Sequence, residues 1–146
     1  MPATAKAYQE HLLIVIQCSG VVRGQDLVNA VKSFSSDAAV AARYNRLIVI
    51  PADADISSLD LTKLQQIQSS VLDAWQGTAE RPSFRTVIVT PSDVHQPISR
   101  LYKALWDERA LPDVRFTVVQ DADEAAALLK IDEAELTRLM GQAETL

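Results

Sequence analysis

Three kinds of residue are scarce in this 146-residue chain, and each shortage removes a class of function. There is one cysteine, Cys18. No internal disulfide can form, which fits a reducing compartment, and a cytoplasmic location is expected. Cys18 closes an apolar stretch and reads as a small core residue before it reads as a nucleophile. The two histidines, His11 and His95, lie far apart with no HxxxH or HxH spacing, so no metal site is expected. The four glycines are scattered, and Gly20-Val21-Val22-Arg23-Gly24 lacks the pattern of a phosphate loop. No cofactor is expected.

Long apolar runs and basic clusters are missing too. The longest apolar run, such as Leu12 to Ile16, is far short of the ~20 residues a membrane helix needs, so stable membrane insertion is not expected. No apolar segment follows Lys6, so a secretory signal is not expected. The net charge of −5 is uneven: ten acids and four bases lie from Asp107 onward, against nine and ten before it. No stripe of Lys and Arg with interleaved aromatics is visible, which argues against nucleic acid as a partner.

What is present is a core. At 48% hydrophobic the chain is too apolar to be disordered, and its length suits one domain over residues 1–146. Residues 1–8 read as a tail or a short edge strand ending near Tyr8. Strands are expected at Leu12–Cys18, Leu47–Ile50, Phe84–Thr90 and Val114–Val119, the last alternating like an edge strand. Between them lie helical patterns. Leu27, Val28, Val31 and Phe34 form one, and Ala38 to Arg43 a short second. Leu61, Leu64, Ile67, Val71 and Trp75 form a third, with Gln65, Gln66, Gln68, Ser69 and Asp73 opposite and Gly77 at its end. Pro97 opens a fourth, bearing Ile98, Leu101, Tyr102, Leu105 and Trp106. Asp121 or Asp123 caps an Ala-rich helix ending at Leu128-Leu129. Residues 131–146 read as an appended amphipathic helix with Leu136, Leu139 and Met140, opened by a capping box from Asp132 to Glu135. That helix suits its own sheet or a partner protomer equally. Strands alternating with helices imply crossover connections and an α/β fold, a four- to five-stranded, mostly parallel sheet covered by helices.

In parallel sheets ligands gather beyond the carboxyl ends of the strands. The residues there are Ser19; Asp53 and Asp55; Ser92, Asp93 and His95; Gln120 and Asp121. A phospho-acceptor receiver would need paired acids after the first strand, where Gln17-Cys18-Ser19-Gly20 stands instead. His95 reads first as a solvated loop histidine and second as an acid/base partner of Asp93. Ser92, His95 and Asp53 make a triad only on paper. Ser57 and Asp60 have capping-box spacing, which makes Ser57 a helix cap; a sharper reading makes Ser57 or Ser58 a phosphorylation switch at a helix N-terminus. Tyr102 and Trp106 are core residues first and, with Trp75, pocket lining second.

The order of elements from about His11 to Leu129 resembles the SpoIIAA-like branch of the STAS superfamily, often described together with CRAL-TRIO lipid-transfer domains. Three stretches carry the likeness. Cys18-Ser19-Gly20 followed by Gln25-Asp26-Leu27 matches the family's strand, glycine and helix start. Arg100-Leu101-Tyr102 is like its Arg-Met-Tyr run, and Val114 to Leu129 is like its closing strand, Asp and Asp-Glu-Ala helix. The family's antagonists carry Asp-Ser-Ser/Thr-Gly after the strand matching Leu47–Ile50; here Ile56-Ser57-Ser58-Leu59-Asp60 has neither that Asp nor that Gly. The family's Trp before its closing Leu is replaced by Ala127-Leu128-Leu129. The resemblance implies a non-enzymatic α/β module, often a dimer.

The expectation is therefore a non-catalytic regulatory or interaction module, a homodimer with a possible protein partner, with no catalytic residue assigned. Its binding residues are Asp53, Asp55, Ser57, Ser58, Ser92, Asp93 and His95. The alternative is a carrier of a small apolar ligand or lipid, with Trp75, Tyr102 and Trp106 around a pocket. The third is an enzyme of unrecognised type.

Overall fold

A computed structural model describes residues 2–74 and 81–144. Strand β1 (Ala3–Tyr8) turns through a single 3₁₀ turn at Gln9–His11 and runs back antiparallel to β2 (Leu13–Cys18). Of the 1–8 segment, Ala3–Tyr8 is an edge strand rather than a tail. Helices α1 (Gly24–Phe34) and α2 (Ala38–Arg43) lead to β3 (Asn45–Val49), α3 (Leu61–Asp73) to β4 (Phe84–Val89), and α4 (Gln96–Asp107) to β5 (Val114–Val119). Helices α5 (Ala122–Leu129) and α6 (Glu133–Glu144) end the chain. The five strands lie in the order β1-β2-β3-β4-β5, with β2 to β5 parallel.

That order decides the layering. Right-handed crossovers that always step in one direction place all their helices on the same face of the sheet. Helices α1, α3 and α4 accordingly pack side by side. They cover Ile48, Ile50, Phe84, Ile88, Phe116 and Val118. The opposite face carries Leu13, Val15, Leu47, Val49, Val87, Val89 and Val119 and would be bare without α5 and α6. Ala125, Ala126 and Leu129 from α5, with Leu136 and Leu139 from α6, close it. Side chains alternate across a strand with period two, so odd-numbered positions of β2 to β5 face α5 and α6 and even-numbered ones face the crossover helices. The last helix, expected to suit sheet or partner, packs on its own sheet.

Helix starts follow the short polar residues. Asp37 accepts from Ala39 N–H and Val40 N–H, Asp60 from Lys63 N–H at 3.0 Å, and Asp121 from Glu124 N–H at 3.0 Å. Asp132 does the same for Glu135 N–H. Ser57 is therefore not the cap of α3. Asp60 stands immediately before Leu61 and accepts from the Lys63 N–H, so the helix starts later than the Ser57 spacing implies.

Two expectations about α3 change. Gln68, placed on the polar side, is buried, and its amide donates to the Leu105 carbonyl at 3.0 Å. Leu105 lies in the last turn of α4, whose carbonyls have no partner within the helix, so the amide satisfies an orphan acceptor. Leu61, placed on the buried stripe, is 46% exposed at the first position of the helix. Leu101 of α4 is likewise on the stripe yet 37% exposed. The expected end of α3 at Gly77 lies outside the described residues, as does Trp75.

Candidate functional site

The loops that follow β2, β3 and β4 meet at one end of the sheet. Gly20, at φ 60, turns the chain after β2. Its carbonyl accepts from Asp55 N–H, and Asp55's carbonyl accepts from Val22 N–H, both at 2.8 Å. This short parallel bridge pins the 51–58 loop to the β2 exit. Within the loop Asp55 Oδ1 accepts from Ser57 N–H at 2.9 Å and from Ser57 Oγ at 2.6 Å. Ser58 Oγ donates to the Val22 carbonyl at 3.2 Å, and Lys63 Nζ donates to the Ser58 carbonyl at 2.7 Å.

The 91–95 loop lies across from it. Ser92 Oγ accepts from Val94 N–H at 3.2 Å, and the Ser92 carbonyl accepts from His95 N–H at 3.1 Å. Gln96 Nε2 donates to the Thr90 carbonyl at 2.9 Å, drawing the first turn of α4 onto the sheet edge. His95, expected to be solvated, is only 4% exposed. It stands at the N-cap of α4, where Ser99 Oγ donates to its carbonyl at 3.0 Å, and its ring is drawn inward with that turn. Among the described residues its Nδ1 has no hydrogen-bond partner.

Between the loops is a cleft of about 280 Å³ lined by Ala52, Ala54, Asp55, Ile56, Ser57, Ser92, Val94, His95 and Ile98. Asp55, Ser57, Ser92 and His95 thus come together. Asp53, Ser58 and Asp93 do not line the cleft; Asp53 and Asp93 are exposed beside it. Asp53, the acid of the paper triad, does not line the cleft, and Ser92 Oγ accepts from Val94 N–H. The Ser57 hydroxyl and N–H hold the Asp55 carboxyl below the usual carboxylate range; desolvation opposes this slightly, and the His95 charge adds to it. An acid held ionised in this way is a fixed negative charge rather than a proton acceptor tuned to neutral pH. Among the described residues no group of three or more His, Cys, Asp or Glu is gathered for a metal ion.

Three large apolar side chains stand exposed at the loop end: Val21 (54%), Leu61 (46%) and Val94 (81%). They follow β2, β3 and β4 in turn, so all three lie at the carboxyl end of the parallel strands.

A second space lies inside, between the crossover helices and the sheet. It is a cavity of about 80 Å³ with almost wholly apolar walls, among them Tyr102 and Trp106. Trp106 stacks on Phe116 at 5.0 Å between centroids, and Tyr102 meets both rings edge-on at 6.3 and 5.8 Å. Trp75, expected with them, is outside the described residues. Arg46, which no sequence pattern singled out, lines this cavity and is 4% exposed. Its place on β3 was the available signal, since it shares parity with Ile48 and Ile50.

Comparison with family models, curated proteins and solved structures returns no match. Among the described residues no helix is long and apolar enough to cross a membrane.

Proposed function

We propose that the chain is a non-enzymatic interaction module of the SpoIIAA-like kind, working through the cleft between the 51–58 and 91–96 loops. The observation that carries this is the meeting of those loops around an ionised Asp55, with Val94 81% exposed at the rim. Apolar walls beside fixed negative charge suit a partner segment that offers an aliphatic side chain next to a Lys or Arg. Asp53 and Asp93, exposed nearby, extend the acidic rim. A homodimer is part of the proposal, with the exposed Val21, Leu61 and Val94 as its candidate contact. A lipid carrier is less well supported, because the inner cavity of about 80 Å³ is well under the roughly 300 Å³ of an ordinary ligand pocket. Phosphorylation of Ser57 would place negative charge against Asp55, and Asp60 already takes the Lys63 N–H in the first turn of α3.

The test is a peptide array read by amide NMR shifts on the whole chain. Peptides pairing an aliphatic residue with Lys or Arg are expected to shift the amides of residues 52–57 and 92–96, and Asp55→Lys is expected to abolish the effect. Selected peptides that move other surfaces, or that ignore Asp55→Lys, would overturn the assignment. Light scattering at two concentrations reads the dimer; a monomer throughout would remove that part alone.

A further inference from the structure

The outer cleft has a negative side and a positive one. On the first stands the Asp55 carboxylate, whose Oδ1 takes both the N–H and the hydroxyl of Ser57. The second is the start of α4, a helix of 12 residues. His95 stands at its N-cap without a side-chain cap, and Pro97 has no N–H to offer. Among the described residues the N–H groups of Gln96 and Ile98 have no hydrogen-bond acceptor. Such groups point back along the helix axis and carry its positive end. Ser92, Val94 and His95, just ahead of that turn, and Ile98 within it all line the cleft. A separate observation falls at the same place. The His95 ring lines the cleft although the residue is only 4% exposed, and among the described residues its Nδ1 has no partner. The Ser92 hydroxyl accepts from Val94 N–H, which leaves its own proton to donate. The His95 charge is felt at Asp55, so the two sides lie within reach of one small molecule.

We propose that the cleft binds a free aliphatic α-amino acid such as leucine, with its ammonium on Asp55, its carboxylate on the first turn of α4 beside Ser92 and His95, and its side chain against Ile56, Val94 and Ile98. A helix N-terminus receives a carboxylate through its unmet N–H groups. A simple anion would face Asp55 across the cleft, and a simple cation would leave the α4 turn unmet; a zwitterion answers both charges at once. The volume of about 280 Å³, just under the roughly 300 Å³ at which ordinary ligand pockets begin, suits one residue rather than a longer peptide. Asp55, Ser57 and Val94 at the rim are exposed, so entry does not require the core to open. The inference rests on the reading of this cleft as a binding site with Asp55 ionised. It adds a carboxylate subsite that a segment offering Lys or Arg does not use, and the amino acid would compete with such a segment for Asp55.

The experiment titrates the whole chain with leucine, leucinamide, N-acetylleucine and glycine, followed by amide NMR. Leucine is expected to shift the amides of residues 52–57 and 92–98 saturably. Leucinamide, which keeps the ammonium and loses the carboxylate, is expected to bind at least about tenfold more weakly, as the loss of one charge-assisted hydrogen bond would give. N-acetylleucine, which keeps the carboxylate and loses the ammonium, should be weakened similarly, and glycine should bind more weakly for want of a side chain. Asp55→Asn is expected to weaken leucine and leave N-acetylleucine unchanged. His95→Gln is expected to weaken leucine and leave leucinamide unchanged; should that variant not fold, Ser92→Ala gives the same reading. No saturable leucine binding, equal binding of leucine and either blocked form, or unchanged leucine affinity in Asp55→Asn would overturn the proposal. Peptides that bind where leucine does not would sink this inference alone, and leucine that binds where no peptide does would sink the partner-segment reading alone.

Discussion

Truncating the leucines of α6 tests the layering directly. Leu136 and Leu139 are fully buried against the sheet face that the crossover helices leave bare. Burying a leucine contributes about 1.5–3 kcal/mol. Truncation to alanine in a packed core costs about 2–5 kcal/mol once the cavity is included. Helix α6 packs on α5, β1 and β2 along one face, so it can undock as a unit instead of holding a cavity open. Among the described residues its other ties include Tyr8 OH to the Leu139 carbonyl at 3.5 Å, His11 with Glu135 at 3.5 Å, and Met140 against the same core. Undocking limits the loss to the docking free energy of α6. Each of Leu136→Ala and Leu139→Ala should therefore cost about 2–3 kcal/mol. The double variant should lose less than the two together. In a domain of this size that is a fall in Tm of roughly 4–12 °C per single change. Urea unfolding followed by circular dichroism measures it, with Leu61→Ala, 46% exposed, as a control expected within about 0.5 kcal/mol. If the α6 variants behave like that control, α6 does not cover the sheet and the layering is wrong.

Gln68→Ala removes the amide that satisfies the Leu105 carbonyl and should cost about 1–3 kcal/mol in the same urea assay; a loss under about 0.5 would mean water replaces it. Ser57→Ala should let the Asp55 carboxyl titrate closer to its ordinary value, read by carboxyl carbon NMR. Because the Asp55 pKa is depressed in the folded chain, the stability it contributes is present at neutral pH. It disappears as pH falls from the usual carboxylate range through the lower folded value. An unmoved Asp55 titration in Ser57→Ala would refute the cause assigned to it. Burial pushes the Cys18 thiol up to about 12, so alkylation at pH 8 should be slow and should accelerate in step with unfolding by urea; rapid labelling of the native chain would contradict its core position.

Periodicity made most of the framework readable. Short apolar runs flanked by Gly, Pro and Asp located β2 to β5 to within one or two residues, and the alternation at Val114–Val119 matches a strand at the sheet edge. Asp132 was legible as a cap, and Asp121 as one of two candidates with Asp123, because a short carboxylate before an apolar stripe has few other uses. Ser57 misled for the same reason: Ser57 and Asp60 are both good caps, and only the fold of the 51–58 loop turns the serine toward Asp55 instead. Gln68 was unreadable because its partner, the Leu105 carbonyl, lies 37 residues away on another helix. His95 was misjudged because burial of a loop residue depends on how the following helix is drawn onto the sheet.

Arg46 shows where reading a sequence by residue type and by register diverge. By type, an arginine before Leu47-Ile48-Val49-Ile50 marks the point where a buried strand has yet to begin. By register it is already inside, because strand β3 starts at Asn45 and pairs Arg46 with Ile14 on one side and Thr86 on the other. A strand in the middle of a parallel sheet, with helices on both faces, has no solvent side to which an even-numbered polar residue can turn. Its charge must then be accommodated by what packs around it. Among the described residues the protein supplies the Ala41 carbonyl and the faces of Phe84 and Phe34, none of which is an anion. The same sheet order that makes α5 and α6 necessary on one face therefore confines a cation beneath the helices on the other.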